Sequence, residues 1–191
     1  MTSMSLFSSD RERRLWVWAL LTVVAIYSTL GLQGKLAASL RDLDMLVNSY
    51  ILFLILLIFA ILGSGLKRQI GRYEIWVTLG IIAVYGMLMV RLFLSPEERT
   101  HLFEYGLVGV LIFQALAERK RHARQNWAPA VIAIVVTALL GWLDEGIQVI
   151  LPNRVFDIRD VGFNALAGLM AILASLLLAW AKNFRRNVQT D

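Results

Sequence analysis

The stretch WAPAVIAIVVTALLGWLDEGIQVIL, residues 127–151, decides the class of fold. From Trp127 to Leu143 it carries no charge. The whole stretch exceeds the roughly 20 residues needed to cross a hydrocarbon core of ~30 Å. A soluble helix of this length would show a polar face, and none is present. Near its end stand Asp144, Glu145 and Gln148. At 1.5 Å rise per residue the two acids lie ~10 Å inside the helix end. Ionised there, each costs about 2.5–3.5 kcal/mol even on the lenient insertion scale. They must therefore face protein, water or a cation. Gly141, Glu145 and Gln148 recur at i, i+4, i+7 with Asp144 alongside, so the polar groups share one helix face.

Outward from this segment the chain repeats the pattern. It has 191 residues, 58% of them hydrophobic, with mean hydropathy +0.65, against about 45–50% apolar in soluble domains. Six spans are expected, near 16–32, 45–66, 74–94, 102–117, 127–151 and 161–181, separated by short polar clusters. No internal repeat or low-complexity linker interrupts them, so residues 1–191 read as one all-α, polytopic transmembrane bundle. The first apolar stretch lacks a cleavage site and reads as a retained span. Cysteine is absent, which excludes disulfides and thiolate metal sites. The net charge of +5 reflects basic loops and does not point to nucleic acid. Thirteen of the nineteen Lys and Arg fall on the N-terminal side of the membrane, in the clusters Arg11–Arg14, Lys67–Arg72, Arg119–Arg124 and Lys182–Arg186. The positive-inside rule then places both termini in the cytoplasm. Nine of the fourteen acids lie at or near the other side, where any chemistry is to be sought.

Other segments add to the acids of residues 144–145. Residues 34–46, with Leu36, Leu40, Leu43 and Val47 on one line, suit a short interfacial helix. The fourth span is short, and extending it outward brings His101, Glu104 and Tyr105 onto one face. Pro152 ends the fifth helix. Beyond it Asp157, Asp160 and Asn164 stand at i, i+3 and i+7, aligned if a helix begins before Asp157. Asp160 is alternatively the N-cap of the sixth span, with Asp157 in the preceding turn. Gly168, Ala171 and Ser175 are small enough to let a partner helix approach closely.

The run Leu143-Asp-Glu-x-x-Gln148, then Pro152-x-Arg154-x-x-Asp157-x-x-Asp160-x-x-x-Asn164-x-x-x-Gly168, resembles the VanZ family pattern. His101-x-x-Glu-Tyr105 resembles that family's His and Tyr segment. The match covers 98–168. It implies an integral protein of the bacterial cytoplasmic membrane. It also implies a context, since the founding member is associated with teicoplanin resistance by a route separate from altered peptidoglycan termini.

Three functions are compatible with these residues. The first is an enzyme or binding protein for an envelope lipid or lipid-linked precursor in the outer leaflet. His101, Glu104, Asp144, Glu145, Asp157 and Asp160 are then the candidate catalytic groups, and Tyr105, Gln148, Arg154 and Asn164 the candidate substrate contacts. Arg154 can grip a phosphate bidentately. Asp144, Glu145, Asp157 and Asp160 form a candidate oxygen set for Mg²⁺ or Ca²⁺. The second is a non-enzymatic membrane module using the same cluster as a ligand pocket or packing network. The third is an ion- or proton-coupled carrier. It is weakened by the missing inverted repeats and broken helices.

Overall fold

A computed structural model of the chain describes residues 6–42, 72–91, 96–123, 127–151 and 156–188. Among these residues every regular element is a helix: α1 (Asp10–Asp42), α2 (Arg72–Arg91), α3 (Pro96–Ala123), α4 (Pro129–Gln148) and α5 (Ile158–Val188). Three contain segments long and apolar enough to cross a membrane: Asp10–Leu30, Pro129–Gln148 and Ile158–Phe184. The expected second span, 45–66, lies outside the described residues. The chain forms two compact units, Met1–Leu30 with Leu94–Ser175, and Gly31–Phe93 with Leu176–Asp191.

Local chemistry sets the helix ends. The Ser9 hydroxyl accepts the Glu12 backbone N–H at 3.1 Å, and Glu12 reaches back to the Ser8 N–H at 2.7 Å, a variant of the capping box. Pro129 opens α4 at a position where its missing N–H costs nothing. Tightened turns close α4, with Ile150 N–H donating to the Ile147 carbonyl and Leu151 N–H to that of Gln148, both at 3.0 Å. One expectation is corrected here. Residues 31–42 continue α1 and form no separate interfacial helix beginning at 34. Between Gly34 and Asp42 the sequence KLAASLR favours helix and contains no proline.

In the first unit, α1, α3, α4 and α5 bury small and aliphatic groups together, among them Leu30, Val108, Ile112, Ala133, Ala167 and Ile172. The approach is close where glycines allow it. A Cβ added to Gly168 on α5 would fall 2.7 Å from Thr137 Cγ2 on α4. One added to Gly109 on α3 would fall 3.0 Å from Gly168 Cα. This confirms the packing role expected of Gly168. The opposite faces are greasy and exposed, as at Val131, Val135, Leu139 and Trp142 of α4. Fully buried positions meanwhile include Glu12, Thr137, Asp144, Glu145 and Asn164. Apolar groups outside and polar groups within is the arrangement that a hydrocarbon solvent selects.

At one end of this unit, α1 begins beside the end of α3. Glu12, wholly buried, accepts Arg119 Nε at 2.6 Å, Trp16 Nε1 at 3.3 Å and the Ser8 hydroxyl at 2.6 Å. Arg119 Nη2 also donates to the Leu6 carbonyl at 2.6 Å, and Glu118 pairs with Arg11 and Arg121, each at 3.5 Å. In the second unit, the start of α2 meets the end of α5, where the Tyr73 and Phe184 rings pack edge to face at 5.1 Å.

Candidate functional site

The far end of the first unit gathers the start of α3, the end of α4 and the start of α5. The Asp144–Glu145 pair projects inward because its face continues the buried line Ala133, Thr137, Gly141 along α4. Across from it α3 presents His101 one turn before Tyr105. His101 Nδ1 lies 3.6 Å from Asp144 Oδ2 and 3.8 Å from Glu104 Oε2. His101 is 4% exposed and Asp144 not at all. Tyr105, equally buried, stacks on His101 with ring centres 6.0 Å apart. The grouping of His101, Glu104 and Tyr105 on one face is thus observed, and Asp144 completes it from a second helix.

A residue that the sequence did not reveal joins them. Tyr27 of α1 donates its hydroxyl to the Leu140 carbonyl at 2.7 Å and lies within electrostatic reach of Asp144 and beside Tyr105. Its position depends on a contact 113 residues away in the chain, which no local pattern signals.

Glu145 does different work from its neighbour. One oxygen accepts Gln148 Nε2 at 2.7 Å, and the other accepts the Asp157 backbone N–H at 3.3 Å. The second bond ties the end of α4 to the residue before α5. Helix starts leave N–H groups without partners, and a carboxylate is well suited to take them. Gln148 lies on the same face, as expected from its spacing.

At the start of α5 the cap belongs to Asp157 and not to Asp160, the alternative that the spacing left open. Asp157 Oδ1 accepts the Arg159 N–H at 2.8 Å, and its carbonyl accepts the Asp160 N–H at 3.1 Å. Because the helix begins at Ile158, after Asp157, the three-residue alignment of Asp157, Asp160 and Asn164 on a helical face does not form. Asp160 sits half-buried in the first turn. Asn164, one turn further in, is fully buried against Gly141, where a Cβ would lie 2.5 Å from the Asn164 Cβ. Neither its Oδ1 nor its Nδ2 has a hydrogen-bond partner among the described residues. Arg154 lies outside the described residues.

Two linked clusters result. His101, Glu104, Asp144 and Tyr105, with Tyr27 behind, can hold and exchange a proton between an imidazole and carboxylates. Glu145, Gln148 and Asp157 fix the geometry of the helix ends around them. Among the described residues no three His, Cys, Asp or Glu side chains converge to hold a metal ion. The cation set Asp144, Glu145, Asp157 and Asp160 gains no support from these positions.

A helical bundle with apolar exterior faces and acids sealed between its helices is an integral membrane protein. The chain belongs to the VanZ/LLP1 family, whose model matches residues 7–179. No curated protein and no solved structure matches it.

Proposed function

We propose that this chain is a six-span protein of the bacterial cytoplasmic membrane, with both termini inside, that recognises the head group of an envelope lipid or lipid-linked precursor at its outer face. The observation that carries this reading is the fully buried Asp144 turned toward His101 from an adjoining helix. Ionisable groups kept out of water inside a membrane bundle mark functional sites by default. Tyr105 and Asn164 supply aromatic and amide surfaces beside them, and Arg154 is the phosphate contact that the sequence offers.

The topology is supported by the distribution of charge within the first unit. Tyr27 and His101 both belong to the Asp144 end. The opposite end holds Arg11, Arg119 and Arg121, in keeping with a cytoplasmic face.

Recognition is favoured over hydrolysis or transfer because Glu145 and Asp157 spend their hydrogen bonds on the helix ends. His101 with Asp144 is the element equipped for proton transfer in any reaction. By occupying or masking a surface lipid, the protein would alter what glycopeptides reach, the context that the family resemblance implies. The test is native mass spectrometry of lipids retained by wild type, Asp144→Asn and His101→Gln, with glycopeptide susceptibility of the same strains. One lipid class retained by wild type and reduced about tenfold or more in both variants supports the reading, tenfold corresponding to about 1.4 kcal/mol. Equal retention by all three proteins, each folded, overturns it.

A further inference from the structure

The second compact unit carries a feature that the site does not use. Trp180 and Phe184 stack on α5 with centroids 5.6 Å apart, and Phe184 meets Tyr73 at the start of α2. Trp76 follows Tyr73 by one helical turn. These rings are not core: Trp76 is 68% exposed, Trp180 58%, Phe184 41% and Tyr73 37%. Lys182 stands between Trp180 and Phe184 in the chain, and Arg185 and Arg186 follow immediately. Arg72 precedes Tyr73.

Exposed indole and phenol rings in chain segments that also carry a run of cations suit the boundary between acyl chains and head groups, where an amphipathic ring keeps its apolar body in the chains and its polar edge wet. The charge selects among head groups. Within the chain segments 72–76 and 180–186, Arg72, Lys182, Arg185 and Arg186 outnumber the single acid, Glu74, and each basic residue at a membrane surface attracts anionic lipid. We infer that the Tyr73–Trp76–Trp180–Phe184 patch, with Lys182, is a docking surface for anionic phospholipid head groups in the leaflet facing the end of α5. The aromatic rings set the depth, and the cations set the lipid.

The experiment uses the full chain in nanodiscs containing either brominated phosphatidylglycerol or brominated phosphatidylcholine at equal mole fraction. Trp180 emission is obtained as the difference between wild type and Trp180→Phe. The expected result is quenching by both lipids, with phosphatidylglycerol roughly two- to fivefold more effective. In Lys182→Gln/Arg185→Gln/Arg186→Gln the preference disappears while quenching by both lipids remains. Equal quenching in wild type overturns the inference. Absence of quenching by either lipid, as a protein partner on this face would produce, overturns it too.

Discussion

Gly141→Ala is the sharpest probe of how the site is built. The added methyl would fall 2.5 Å from Asn164 Cβ, 3.1 Å from its Nδ2 and 3.2 Å from its Cγ. Carbon atoms settle at about 3.5–4.0 Å, so the gap is short by about 1 Å. No rotamer of Asn164 relieves it, because the Cβ is fixed to the α5 backbone. The helices must part, and overpacking of this kind costs about 1–3 kcal/mol. Alanine also gains up to about 1 kcal/mol of helix propensity over glycine, which would hide part of the clash. Gly146→Ala in the same helix isolates that gain, since nothing lies within 4 Å of a Cβ there. Stability of both variants and wild type is measured by denaturation in a fixed mixed micelle. Gly141→Ala is expected to fall below Gly146→Ala by about 1–3 kcal/mol. Asn164→Gly, which deletes the struck atom, should recover at least about 1 kcal/mol of the clash as coupling in a double-mutant cycle. Equal stabilities for the two alanine variants, with no coupling, would refute the α4–α5 contact on which the site rests.

Glu145→Ala strands the Asp157 N–H and the Gln148 amide, and a loss of about 1–3 kcal/mol is expected in the same assay. Glu145→Gln, still able to accept one bond, should fall between it and wild type. Asp157→Ala removes the α5 cap and is expected to cost about 1 kcal/mol, while Asp160→Ala costs clearly less; the reverse order would restore Asp160 as the cap. At the other end, Glu12→Ala should destabilise by about 2–3 kcal/mol, because it leaves Arg119, Ser8 and Trp16 without their acceptor. Arg119→Ala should cost about 1 kcal/mol or less, because the Arg119 side chain is 40% exposed and water takes its place. Similar losses from both would show that the pair acts as a unit rather than as a carboxylate anchor.

Hydrophobic run length and helical spacing placed α4 and α5 and predicted that Asp144, Glu145, Gln148, His101, Glu104 and Tyr105 lie on inward or shared faces. These are local properties, and periodicity reports them well. It reports which way a side chain faces, but not what it meets. Asp144 and Glu145 are neighbours with the same sequence signal. One meets a histidine, while the other binds the start of the next helix, and only the α3–α4–α5 arrangement separates them. The spacing leaves the cap of α5 open for a related reason, since Asp157 and Asp160 are both competent caps and only the observed helix start at Ile158 separates them. Tyr27 and the Glu12–Arg119 pair depend on contacts more than 100 residues apart in the chain. The Ser9-x-x-Glu12 spacing suits a capping box, but nothing in it indicates the arginine that Glu12 holds.

The proposed role at the cell surface requires the buried acids to lie at the external end of the bundle. The absence of native cysteine allows single-cysteine labelling to test this directly. Arg159→Cys sits exposed at the start of α5 beside the site, and Arg121→Cys sits exposed near the end of α3. Intact cells are treated with a membrane-impermeant maleimide. The prediction is labelling of Arg159→Cys at once, and of Arg121→Cys only after the membrane is permeabilised. Labelling of Arg121→Cys in intact cells, with Arg159→Cys protected, would turn the site toward the cytoplasm and contradict the proposed role at the cell surface.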